Sequence, residues 1–349
     1  MNKKLLIMIT TALFALCFCA GCGKEPTATL TVINYADYMD MSILSQFEKE
    51  TGIRVIYEEA ITPEELYTKY SSGAISYDLV CTSDYMVQRL ISEGEAQKVD
   101  FSAMEHSKNI GQRFWDISKS FDANNEYALP YFYGTVGILY DTTKVNGPVD
   151  SWDALFNGEY KNQIIMQDSM RDSFMITLKH LGYSLNTTNK DEIAEAKDAL
   201  ITQKPDVSAY LVDEARDEVV AGNATMAVVY SGEAYLGHEY NNDLAYVVPK
   251  EGSNIWVDSW LVTKNCKNTE AAAKFMDFLC REDIATKNFE YIYYSTPNEA
   301  VVANMDDTLQ NDPAIVPTTE DIDKCEICIQ PKEEITELYS EYWKEIKSN

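Results

Sequence analysis

The chain has 349 residues, with 56 Asp and Glu against 29 Lys and Arg and a formal charge of −27. A surface that acidic repels phosphate, so no nucleic-acid partner is expected, whereas a small cationic ligand would be drawn in; solubility of an exported protein accounts for part of the acidity as well. The length exceeds what one compact core usually holds, and two lobes of roughly 100–200 residues each are expected.

The N-terminus runs from Lys3-Lys4 through an apolar stretch, Leu5 to Ala20, to Ala20-Gly21-Cys22. This pattern fits an export signal over residues 1–21 that ends at a cysteine open to lipidation, Cys22, followed by a polar tether over 22–29. The apolar run is shorter than the roughly 20 residues a membrane span requires. The mature chain is therefore expected to work outside the cytoplasm, as a lipoprotein held on the outer face of the cytoplasmic membrane or in the periplasm. Eight cysteines are present, and five of them, Cys81, Cys266, Cys280, Cys325 and Cys328, lie in the body. An odd number cannot form a complete disulfide framework. Cys325 and Cys328 form a CxxC with no second pair to complete four ligands, so no metal is expected there; loop cysteines or a local disulfide remain open.

In chain order, Leu30–Asn34 reads as a strand and Met41–Glu50 as a helix whose Ile43, Leu44 and Phe47 share one face before Gly52. Ile53–Tyr57 is a second strand. Thr62-Pro63-Glu64-Glu65 has a capping-box spacing with proline at the first helical position, which predicts a helix ending near Gly73. Tyr77–Cys81 is a third strand, followed by a helix that ends at Gly94. The second half repeats the alternation with strands at Ile164–Gln167, Thr225–Tyr230 and Leu244–Val248 and helices at Met170–Leu181 and Lys190–Gln203. Asn268–Arg281 and Glu333–Ile346 are two further helices. An α/β fold with a mostly parallel sheet and helices on both faces follows. Two long extended segments, Tyr127–Asp141 and Asn254–Thr263, divide the blocks and are expected to carry the chain between lobes. Two crossing strands make a hinge suited to closing on a ligand.

Three histidines are few for an enzyme of this size, and none stands in a metalloprotease or haem pattern. Neither a GxSxG elbow nor a Walker loop nor a strand-linked GxGxxG is present. No catalytic residue and no cofactor is expected, and the chain is read as a binder. Rings and acids instead recur together near strand ends: Tyr35-Ala36-Asp37-Tyr38, Ser83-Asp84-Tyr85, Gln167-Asp168-Ser169, Tyr230, Trp256-Val257-Asp258 and Tyr294. In open α/β sheets ligands gather beyond the carboxyl ends of strands, where these positions would converge. Their chemistry suits a linear polyamine: each buried ammonium needs a carboxylate, while the methylenes need apolar walls that tolerate charge, which Tyr and Trp faces supply.

At these residues the chain resembles the spermidine/putrescine-binding proteins of polyamine ABC importers, from about Ile33 to Ala300. The likeness is carried by Asn34–Tyr38, Phe47–Ile53, Tyr77–Val80, Leu129-Pro130-Tyr131, Ser151-Trp152, Leu181–Ser184, Val248–Gly252, Trp256–Ser259 and Tyr294–Asn298. It implies a two-lobed periplasmic-binding-protein fold of type II with a two-strand hinge, residues 30–135 and 257–305 in lobe 1, and residues 136–256 and 306–349 in lobe 2. The implied ligand set is Tyr35, Asp37, Tyr38, Ser83, Tyr85, Asp168, Asp172, Tyr230, Trp256, Asp258 and Tyr294, with Ser169 competing with Asp168 for one acid position. The implied partners are a polyamine and the permease and ATPase subunits of an ABC importer, with the receptor itself a monomer. A receptor of the same fold for another small solute, such as an amino acid, is the alternative; it would present an arginine to the ligand's carboxylate, and Arg171 is the one arginine near the expected pocket.

Overall fold

The computed structural model describes residues 26–348. The expected signal over 1–21, Cys22 and most of the tether lie outside the described residues. Nine strands form one sheet: β1 Ala28–Tyr35, β2 Ile53–Ala60, β3 Leu79–Thr82, β4 Ala128–Asp141, β5 Ile164–Gln167, β6 Val207–Leu211, β7 Met226–Tyr230, β8 Leu244–Val247 and β9 Ile255–Val262. The order is β2-β1-β3-β9-β4-β7-β5-β6, with β8 pairing β4 off this path. β1 pairs parallel to β2 and β3 at one end, and β5 pairs parallel to β6 and β7 at the other. The middle, built on β9 and β4, is antiparallel.

The helices follow from local signals. Helix Ser42–Thr51 buries Ile43, Leu44 and Phe47 and stops at Gly52, whose φ of 73° supplies the left-handed turn. In helix Pro63–Ser71 the Thr62 side chain accepts from the Glu65 amide and proline takes the first turn. Strand β6 was not legible, because Val207–Leu211 is only partly buried along its length and draws its definition from pairing with β5. Helices Ser231–Tyr240 and Glu282–Ile292 were also missed: the first carries Gly232 and Gly237, which weaken the helical signal.

β4 runs buried through both halves of the sheet. Its residues up to Thr135 pair with β9, and from Val136 onward they pair with β7 and β8. A first core gathers Ile33, Phe47, Leu79, Trp260, Phe275 and Phe289, and a second gathers Trp152, Ile164, Phe174, Leu200 and Val228. The second also takes Ile335 and Ile346 from the C-terminal helix Glu333–Ser348, whereas Ile315 and Ile322 belong to the first core. The segment after residue 305 thus contributes to both cores. All five described cysteines are free thiols, so Cys325 and Cys328 form no disulfide. Among the described residues no cluster of His, Cys, Asp and Glu is arranged to hold a metal ion, and no helix is long and apolar enough to cross a membrane.

Candidate ligand-binding cleft

Topology brings the ring and acid clusters together. β1 ends at Tyr35 and β3 ends just before Ser83, and β9 runs antiparallel to β3 with Ser259 opposite Thr82. The start of β9, with Trp256 and Asp258, therefore lies beside the carboxyl ends of β1 and β3. Tyr230 ends β7 opposite Val136, next to the point at which β4 leaves β9. Residues from both parallel blocks thus meet where β4 changes partners, which is the strand-end position that α/β sheets use for ligands.

Five rings form a continuous path across this point. Tyr35 lies 5.8 Å from Tyr38, Tyr38 lies 6.1 Å from Tyr294, Tyr294 lies 5.2 Å from Trp256, and Trp256 lies 6.4 Å from Tyr230, measured between centroids. All four pairs are edge-to-face, an arrangement favoured by ring quadrupoles. Two glycines make room for the central rings. Trp256 faces Gly134 across the β4–β9 ladder, and a Cβ at Gly134 would collide with the indole. A Cβ at Gly232 would come within 2.5 Å of the Tyr294 ring. Tyr293, at φ 56°, ends its helix in the left-handed region, and the chain turns there into Tyr294.

A carboxylate lies near each end of the path. The Tyr38 hydroxyl donates to Asp258 Oδ2 at 2.8 Å, and Asp258 is 6% exposed. The Tyr230 hydroxyl donates to Asp172 Oδ2 at 3.0 Å, and Asp172 is 7% exposed. Burial pushes the Asp258 carboxyl up to about 7, although the Tyr38 and Ser83 hydroxyls pull it down. Burial also raises Asp172 above the usual carboxylate range, against the Ser169 and Tyr230 hydroxyls and the Arg171 charge. Neither carboxylate has an ion-pair partner among the described residues. Two desolvated acids, each held by a phenol and joined by π-faces, form a site for positive charge.

The remaining expected residues fall into three groups. Tyr35 uses its hydroxyl within the site wall, 3.0 Å from Thr82 Oγ1 and 2.8 Å from Ser83 Oγ, and so ties the ends of β1 and β3. Tyr85 donates to Glu64 at 2.9 Å, and its ring is covered by the Arg171 guanidinium at 3.8 Å. Asp37 and Asp168 are not brought to the others. Asp37 is exposed in a left-handed turn at φ 53°. Asp168 is 48% exposed and pairs with Lys347 of the C-terminal helix at 2.8 Å. Asp168 lies just past the end of β5, whose four residues are all buried, and Gln167 Nε2 there donates to Val228 O. Ser169 instead caps helix Met170–His180 by accepting from the Asp172 amide. Asp168→Asn is accordingly expected to leave ligand affinity within about twofold and to cost at most about 1 kcal/mol of stability, as exposed pairs do, in parallel calorimetric and urea titrations.

Asp84 is not among the expected ligand residues, although it stands inside one of the ring–acid clusters. It is 1% exposed, and its two oxygens accept from the Tyr85 amide at 2.7 Å and the Val257 amide at 3.4 Å. Burial pushes its carboxyl up to about 7, Asp258 adds to the rise, and Arg171 opposes it. Only its place after a short strand, facing an antiparallel neighbour, could have signalled burial.

Residues 42–318 match the family model for bacterial extracellular solute-binding proteins. The spermidine/putrescine-binding periplasmic protein of Salmonella typhimurium is 35% identical over 324 residues, 92% of each chain. A putrescine-binding periplasmic protein of Pseudomonas aeruginosa is 31% identical over 83% of this chain and 84% of its own. Among solved structures, the spermidine/putrescine ABC transporter substrate-binding protein of Streptococcus pneumoniae superposes with a TM-score of 0.84 at 35% identity, covering 92% of this chain and 99% of that one. The chain belongs to the bacterial extracellular solute-binding protein family, alongside its spermidine/putrescine-binding members.

Proposed function

We propose that this protein captures a linear polyamine outside the cytoplasm and delivers it to a membrane permease driven by an ATPase. One observation carries the reading: Asp258 and Asp172 are buried, each accepts from a phenol, neither has a cation among the described residues, and an unbroken path of rings runs between them. Ammonium groups would supply the missing charges, and the methylenes would lie on Tyr38, Tyr294, Trp256 and Tyr230. The relatives' names, spermidine/putrescine-binding and putrescine-binding, agree with this chemistry.

In this reading the ligand draws residues from both parallel blocks together, and β4 and β9 serve as the hinge between lobe 1 and lobe 2. Cys22 carries the lipid that holds a monomeric receptor near its permease. The protein acts as a binder, with no catalytic step assigned to it.

An amino-acid receptor needs an arginine free for the ligand's carboxylate. Arg171 is the arginine nearest the site, and it is already stacked on Tyr85 and bonded to Cys328. A thermal-shift panel of putrescine, cadaverine, spermidine, spermine, glutamate and maltose tests the proposal. Stabilisation by the amines alone is expected; stabilisation by glutamate or maltose alone would overturn it.

A further inference from the structure

Resting on the reading of a two-lobed polyamine receptor hinged at β4 and β9, one ring contact between the lobes lies outside the ligand path. Tyr235 and Tyr293 stack with centroids 5.1 Å apart and ring planes 22° from parallel. The two rings come from different bodies. Tyr235 stands on helix Ser231–Tyr240, which follows β7 and buries Ala234 with Leu139, Val229 and Leu244 of β4, β7 and β8. Tyr293 ends helix Glu282–Ile292, which buries Ile284, Phe289 and Ile292 in the first core, and its ring also meets Phe289 at 5.7 Å. Tyr235 packs against both bodies.

The backbone at Tyr293 marks this contact as built. Among the described residues, the positive-φ positions other than glycine are Asp37, Asn125, Asn162 and Tyr293. Asp and Asn enter the left-handed region with short polar side chains, whereas a large ring is disfavoured there. Such strain persists where the surroundings over-determine it. Here the turn sets Tyr293 and Tyr294 on one face of the opposite helix: Tyr294 lies over Gly232 and Tyr293 over Tyr235. Gly232 and Tyr235 are three residues apart and so are neighbours on the helix surface. Tyr294 belongs to the ring path, whereas Tyr293 and Tyr235 do not.

We infer that Tyr235 and Tyr293 are positioning residues, a clasp between the lobes that holds Tyr294 against Gly232 in the closed form and sets how long the ligand is retained. A contact of this kind favours closure whatever amine is held. It therefore slows release, leaves capture by the open form unchanged, and acts equally on every ligand.

Stopped-flow fluorescence on the mature chain, with putrescine and spermidine, tests this in the wild type, Tyr235→Leu, Tyr293→Gly, the double variant and Tyr235→Phe. Each of the first two changes is expected to raise the dissociation rate about 3- to 10-fold, by the same factor for both amines, with association within about twofold of wild type. The double variant should rise no further than about the larger single, because either change breaks the same stack. Tyr235→Phe keeps the stack and should stay within about twofold of wild type. Unchanged dissociation in folded single variants, factors that multiply in the double variant, an effect carried by association, or an effect on one amine alone would each overturn the inference while leaving the polyamine reading intact. Failure of both amines to bind the wild type would remove both. If Tyr235→Leu does not fold, as judged by circular dichroism, Tyr293→Gly decides, since glycine suits the φ of 56° at that position.

Discussion

Asp258→Asn is expected to weaken amine binding by roughly 30-fold to several-thousand-fold, the 2–5 kcal/mol typical of truncating one partner of a buried charge pair. The substitution is nearly isosteric, and the new amide oxygen can still accept from Tyr38, so the wall of rings should stay in place. What is lost is the charge. The same change is expected to stabilise the unliganded protein above pH 7. Burial raises the folded-state pKa of Asp258 to about 7, whereas an unfolded Asp titrates near 4, so between these values the folded state holds a proton that the unfolded state has released. Wild-type stability from this group therefore falls as pH rises from about 4 to about 7 and then stays low, and the Asn variant escapes that fall. Urea unfolding at pH 5 and pH 8 checks the sign: the variant's advantage should be larger at pH 8. A variant that binds putrescine or spermidine like the wild type would remove Asp258 from the site.

Trp256→Ala should weaken binding about 10- to 100-fold without changing its pH dependence. The indole stands between Tyr294 and Tyr230 and lies against Gly134, so it links the two halves of the ring path. A ring face under an ammonium contributes about 0.5–2 kcal/mol, and its removal also lets Tyr294 and Tyr230 relax away from their edge-to-face contacts. Trp256→Phe separates wall from hydrogen bond. The indole Nε1 is buried with no partner, so phenylalanine removes area and no bond, and most of the affinity should return. Equal affinities for Trp256→Ala and the wild type in the same titration would show that the methylene chain does not run along this path.

Much of the fold was legible because its signals are local. Thr62 and Pro63 fix one helix start, Gly52 fixes a stop, and the pattern over Met170–Leu181 gives a helix that the structure places at Met170–His180. β6 was hidden, since a half-buried edge strand has no face of its own to pattern. The site was legible in part for the same reason. Tyr38, Tyr230, Trp256 and Asp258 lie at strand ends or just beyond them, Asp172 opens the helix after β5 and Tyr294 follows a helix, and the structure brings them into one ring path with an acid near each end. Whether an acid points inward is a matter of one residue in register, which the sequence does not carry for Asp168 beside Ser169. Asp84 was passed over because its burial comes from β9, a long-range contact with no local mark.

In the proposed site, ammonium groups would displace protons from buried carboxylates. An aliphatic amine titrates near 10, so at pH 7 the ligand arrives fully charged and any proton released must come from the protein. Titration calorimetry with putrescine at pH 7, repeated in two buffers of different ionisation enthalpy, measures that proton directly. Net proton release on binding is expected, sharply reduced in Asp258→Asn. Tight binding with no proton release, or with proton uptake, would contradict it.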